Sequence, residues 1–262
     1  MKNVLEWLEA TVEKYPDKPA FSDTESSITF RQVYDIARNT GAYLVEQLGV
    51  DRTPVAVFAG RKMVTPAYFL GVVYAGRPYA PIDASLPDKR IEKILENLCP
   101  RAIVADRESL EHVESIVDEL AKTEGFDRPQ IFVAEDISRF EQVACADSNY
   151  KISESAGDAV TDSENDTDGG VVAGCAGKTD DSSRDMLAVV RRQMSMTDPL
   201  YIIYTSGSTG NPKGVMTSHL SLMTYINAYC DVMHIDESDV LGNQSPLDYI
   251  AAIRDIYLPL KT

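Results

Sequence analysis

The sequence predicts an α/β fold, a layered, largely parallel sheet with flanking helices. Three observations predict it. Short apolar runs of strand length recur at residues 54–59, 102–105, 130–134 and 200–204. Segments whose apolar residues fall at helical spacing lie between them. The chain has 262 residues, 44% of them hydrophobic and 25% charged, enough for a sizeable core. Strand-like and helix-like runs in alternation are the pattern of parallel strands joined by crossover helices.

Taken in order, Asn3 caps the first helix, with Glu6 as the other half of a capping box and Val4, Leu5, Leu8 and Val12 on one face. Thr29 and Gln32 repeat the arrangement. Val33, Ile36, Ala37, Tyr43, Leu44 and Leu48 follow at helical spacing, and Gly49 ends the helix. A strand at 54–59 leads to a helix near 64–75. Pro87 opens another through Ile91, Ile94, Leu95 and Leu98. Residues 102–105 are a buried strand, Leu110, Val113, Val117 and Leu120 mark a helix, and 130–134 are a strand again. A short helix is expected at 186–194, a buried strand at 200–204 and a further helix from about Ser218.

Composition divides the chain. Residues 1–146 are the first part of the domain. Residues 147–185 hold ten acids against three bases, with Gly, Ser, Asp and Thr dominant. Such a segment buries too little apolar surface to offset its ordering entropy, so a disordered acidic insertion is expected there. Residues 186–262 return to the same domain.

The net charge of −16 argues against nucleic acid and membrane partners, which want basic patches. No apolar run approaches the roughly 18–20 residues of a membrane span. Cys99, Cys145, Cys175 and Cys230 form no C-x-x-C pair, and His112, His219 and His234 show no ligand spacing, so neither a disulfide framework nor a metal site is assigned. Acids stand too early for a signal peptide. A cytoplasmic protein is expected.

The 200–204 run leads straight into Thr205-Ser206-Gly207-Ser208-Thr209-Gly210, with Lys213 and Gly214 beyond. Small residues let backbone N–H groups approach a ligand, hydroxyls add donors and Lys213 adds charge, which together make an anion cradle. Pro212 stands where a Walker loop has glycine, so this is not that loop.

The whole string from Tyr204 to Gly214 closely resembles the phosphate-binding signature of the adenylate-forming (AMP-binding) superfamily, in its peptide-synthetase adenylation and D-alanine:carrier-protein ligase branch. Gly76-Arg77-Pro78-Tyr79-Ala80-Pro81-Ile82-Asp83, with Pro87, Arg90 and Ile91, resembles that branch's second core motif, and Ile28-Thr29-Phe30 the first. The resemblance implies an incomplete N-terminal domain of an adenylate-forming enzyme. It implies ATP-dependent activation of a carboxylic acid, amino acids included, as an acyl-adenylate. Transfer to a carrier-protein phosphopantetheine thiol would follow, with ATP and Mg2+ as cofactors. Thr205, Ser206, Gly207, Ser208, Thr209, Gly210 and Lys213 would hold the departing phosphates. An acyl- or aryl-CoA synthetase fragment and a non-catalytic remnant are the alternatives. The C-terminal domain, with the family's catalytic lysine, is expected to be absent and the chain alone to be inactive, so no residue is assigned as catalytic.

Two substrate-side positions follow from the same resemblance. Amino-acid-activating members place an aspartate near a helix start to pair with the substrate ammonium. That position falls on Ile250, and Asp248 lies two residues earlier. Asp248 reads either as an ammonium partner or as the N3 residue of a capping box begun by Ser245 and Pro246. His219 reads as a substrate neighbour or as packing, and Cys230 as core.

Overall fold

The computed structural model describes residues 2–139, 180–206 and 211–262, with the backbone alone for 180–185. In chain order the elements are α1 (Leu5–Lys14), β1 (Pro19–Ser22), β2 (Ser27–Thr29), α2 (Phe30–Leu48), β3 (Val55–Phe58), α3 (Thr65–Tyr74), β4 (Tyr79–Ile82), α4 (Asp88–Leu98), β5 (Ala102–Ala105), α5 (Leu110–Leu120), β6 (Gln130–Val133) and α6 (Ala134–Ile137). After the segment outside the described residues come α7 (Asp180–Gln193), β7 (Pro199–Ser206), β8 (Pro212–Ser218), α8 (His219–Met233) and α9 (Ile250–Lys261). Most of the acidic stretch expected to be disordered lies outside the described residues. At 180–185 the chain is already helical, six residues before the expected start at Met186.

Six strands form one sheet in the order β6-β5-β3-β4-β7-β8. The first five run parallel, and β8 returns antiparallel along β7. Strands β3, β4 and β5 are buried on both faces, which is why their sequences are continuous apolar runs rather than alternating ones. Alternate residues serve opposite faces. Val55, Val57, Tyr79 and Val104 meet α1, α2, α3, α7, α8 and α9. Ala56, Phe58, Ala80, Ile82 and Ile103 meet α4 and α5. The connection after β3 therefore leaves on one face and those after β4 and β5 on the other. That divergence opens a crevice at the carboxyl ends of these strands.

Every residue of α3 is buried, because it is wedged between the sheet and α2. The two helices touch backbone to side chain at Gly41 and Gly71. A Cβ on Gly41 would stand 2.5 Å from that of Tyr74, and one on Gly71 would stand 2.5 Å from that of Thr40. Helix α7 docks through Leu187, Val190 and Met194 and through Arg191, whose Nη2 donates to Glu9 Oε2 at 2.7 Å. Tyr74 donates to the other oxygen of that carboxylate at 3.1 Å. Burial pushes the Glu9 carboxyl above its ordinary value against the pull of Arg191.

The Thr29–Gln32 capping box forms as expected. The Asn3–Glu6 box does not. Asn3 is buried, its Oδ1 accepts from Leu5 N at 3.1 Å, and Glu6 reaches back to Lys2 N at 2.9 Å. Sequence patterns also left the β1/β2 hairpin and β4 unassigned. β4 carries Pro81, which cannot donate to a neighbouring strand. Its pairing with β7 is confined to Tyr79↔Tyr201.

Candidate phosphate-binding site

β7 rises through the sheet to its carboxyl edge and ends in Thr205 and Ser206, both exposed. Gly207, Ser208, Thr209 and Gly210 lie outside the described residues. β8 then descends, pairing Ser206 with Pro212, Thr205 with Lys213 and Tyr204 with Gly214. The cradle is thus the tip of a hairpin, not the strand-to-helix turn of many phosphate loops. The first turn of α8 lies at the foot of β8, six strand steps or about 20 Å from the tip. Its dipole falls off within a turn and does not reach the tip. Lys213 and, from α4, Lys93 bring positive charge to this end of the hairpin, and Thr205 and Ser206 bring hydroxyls. Thr205 Oγ1 points across the hairpin to Lys213 O at 3.5 Å.

The hairpin lies on α4. Tyr204 donates to Asn97 Oδ1 at 2.8 Å, and Lys93 donates to Asn211 Oδ1 at 3.2 Å. Lys93 and Asn97 stand four apart, so one face of α4 grips both strands. Burial pushes the Tyr204 hydroxyl up to about 12, so it stays protonated and can donate. Gly214 lies close beneath that ring. A Cβ there would lie 2.9 Å from Ile202 Cγ2 and 3.1 Å from Tyr204 Cζ. The sequence did not single out Lys93 or Asn97. Their i, i+4 spacing on the polar side of α4 was the only available signal.

The loops after β3 and β5 are knotted by Asp106, which is buried. It accepts from Gly60 N at 3.1 Å, Lys62 Nζ at 2.9 Å and Ser109 N at 3.0 Å. Burial pushes its carboxyl up, yet the bonds from Ser109, Lys62 and Gly60 together hold it below the ordinary carboxylate value.

Residues 241–249 join this edge, where Arg61 Nη2 donates to Asn243 O at 3.2 Å. The expected Ser245–Asp248 capping box is absent. Ser245 N is taken by Asn243 Oδ1 at 2.9 Å, Tyr249 N closes a turn on Pro246 O, and α9 starts only at Ile250. Asp248 is instead half-buried beside Asp83 and Arg90 of the second motif. Burial and then the Asp83 charge raise its carboxyl, against Arg90. Ile250 is 52% exposed at the first position of α9. His219 is far from the tip. It is 1% exposed, Val4 N points at its Nδ1 at 3.5 Å, and burial lowers it to about 4. Cys230 is buried as expected.

The described residues at this end, two hydroxyls and the ammonium groups of Lys213 and Lys93, can offer hydrogen bonds to an anion. Among the described residues no group of three His, Cys, Asp or Glu could hold a metal. Among them no helix is long and apolar enough to cross a membrane.

Comparison with known proteins identifies the family. The sequence pattern described as AMP-binding enzyme matches residues 8–262. A D-alanine--D-alanyl carrier protein ligase of Listeria welshimeri is 26% identical over 256 residues, 97% of this chain and 40% of the relative. One from Bacillus velezensis is 26% identical over 260 residues, 99% of this chain and 41% of the relative. The chain therefore spans about two fifths of the length of these relatives. The fold matches the N-terminal domain of FACL13 from Mycobacterium tuberculosis with a TM-score of 0.68 and 20% identity, covering 100% of this chain and 55% of that one. It matches the nonribosomal peptide synthetase FmoA3 with a TM-score of 0.68 and 19% identity, covering 99% and 22%.

Proposed function

Because the chain belongs to the family of AMP-binding enzymes, we propose that it forms the phosphate-gripping part of a ligase that activates a carboxylic acid with ATP. The acid leaves as an acyl-adenylate bound for a carrier-protein thiol. The observation that carries this reading is the hairpin tip, where Thr205 faces Lys213 across two strands at the carboxyl edge of a parallel sheet.

Membership of the family makes ATP the nucleotide proposed here. Thr205, Ser206 and Lys213, with the Gly207–Gly210 backbone, would hold the β- and γ-phosphates. When the acid attacks the α-phosphate, charge grows on the leaving pyrophosphate, and donors already in place stabilise it without reorganising. Magnesium would share that charge, carried mainly by phosphate oxygens and water, in the manner usual for this ion. Tyr204 and Asn211, tied to α4, keep the tip in register. On the substrate side we assign Asp248 and Ile250. Asp248 is a carboxylate half-buried beside a second one, a state that a cationic partner relieves. That favours an acid bearing an amino group, as the names of the carrier-protein ligase relatives also suggest. Ile250 would lie against the apolar part of the acid.

Calorimetric titration of the chain with magnesium pyrophosphate tests the phosphate role. Lys213→Ala should weaken binding at least about tenfold, the worth of a charge-assisted hydrogen bond. Equal affinity in the variant would remove Lys213 from the site.

A further inference from the structure

An open pocket of about 360 Å³ lies between α1, α8 and α9. It sits at the amino edge of the sheet, the end opposite the hairpin tip. Met196, on its wall, precedes β7, and Leu220 N bonds Met196 O at 2.7 Å. Its lining is segregated. Trp7, Met196, Leu220 and Met223 make one apolar part, and Thr224, Asn227 and Lys261 make the polar remainder. The change from apolar to polar runs along a single face of α8, since 220, 223, 224 and 227 follow helical spacing. Although the chain carries a net charge of −16, no carboxylate lines the pocket, and among the described residues Lys261 is its one charged group.

We propose that this pocket binds a small amphipathic carboxylate, an acid with a short apolar body. The apolar body lies against Trp7, Met196 and Met223, and the carboxylate meets Lys261 with Asn227 as a neutral donor. The pocket is open along the exposed Leu220, Thr224 and Asn227, with buried Trp7 and Met223 at its apolar side, and its volume is within the range of small-molecule sites. The charge selects the ligand. An amine would face a like charge, and a polyphosphate would find one cation and an apolar wall. The site lies across the sheet from the phosphate tip and does not depend on the function proposed above.

Trp7 is the only tryptophan in the chain and lines this pocket, so its fluorescence responds to binding there. The intact chain would be titrated with sodium octanoate, octan-1-ol and octylammonium. Octanoate should give a saturable change and bind more tightly than octylammonium. Lys261→Met should weaken octanoate about fivefold, the worth of a partly exposed ion pair, and leave octan-1-ol unchanged. Leu220 is 42% exposed, so Leu220→Glu can fold, and it should abolish the octanoate response. A non-saturating response, undiminished octanoate affinity in Lys261→Met, or preference for the amine would each overturn the proposal.

Discussion

Replacing Arg77 with alanine should destabilise the fold by about 3 kcal/mol. The side chain is 1% exposed and lies under the C-terminus of α2. Its Nη2 donates to Leu48 O at 3.3 Å and Gly49 O at 3.1 Å, and its Nη1 to Thr53 O at 3.3 Å, to the Thr53 hydroxyl and to the Asp51 carboxylate. Alanine strands the helix-end carbonyls and removes one partner of a partly buried ion pair. Breaking a fully buried pair costs about 3–5 kcal/mol. Asp51 keeps Arg101 at 2.9 Å and some solvent contact, which places the loss at the low end. For a chain of this size that is about 6–12 °C in Tm. Arg77→Lys should recover only part of it, because an ammonium cannot serve carbonyls on two sides as the guanidinium fork does. The pH dependence supplies a second readout. Burial raises the Asp51 carboxyl, but bonds from Thr53 and Arg77 outweigh it and hold its folded value below the ordinary 3.8. Its contribution is therefore present above 3.8 and lost as pH falls through the folded value, so the gap between wild type and variant should narrow there. Urea unfolding followed by circular dichroism measures both. A loss under 1 kcal/mol at neutral pH, or full rescue by lysine, would refute the reasoning.

Two further outcomes are expected. His219 has a folded value of about 4 against the ordinary 6.5, so the unfolded chain takes up the proton first. Wild-type stability should fall by roughly 2–3 kcal/mol as pH drops from 6.5 to 4, and His219→Gln should flatten that slope in urea titrations at stepped pH. Gly214→Ala should cost about 1–3 kcal/mol, because the new Cβ collides with Ile202 and Tyr204. It should also weaken pyrophosphate binding by moving Tyr204 off Asn97, which thermal melts and calorimetry would read separately.

The parallel core was legible because strands buried on both faces must be apolar throughout. Val55, Ile103 and their neighbours announce themselves. The capping box at Thr29 was legible because its logic is local. β8 was not. Lys213, Gly214, Val215 and Met216 are all exposed on an edge strand, so no burial pattern marks them. The stretch at Ser245–Asp248 reads locally as a helix start. Asn243 takes the Ser245 amide and the helix begins five residues later, a competition that sequence spacing does not weigh. At the candidate site the residue types were readable, but their mounting on Lys93 and Asn97 depends on a tertiary contact.

Pro81 leaves the β7/β8 hairpin attached to β4 by the single pairing at Tyr79↔Tyr201. Mechanically the hairpin is a lever pivoted near its foot, with its free end braced against α4. Leu200, Tyr201, Ile202 and Ile203 pack its foot into the core, and two side-chain bonds to α4 brace its far end. Lys93 and Asn97 therefore tie the free end to a helix as well as to the sheet.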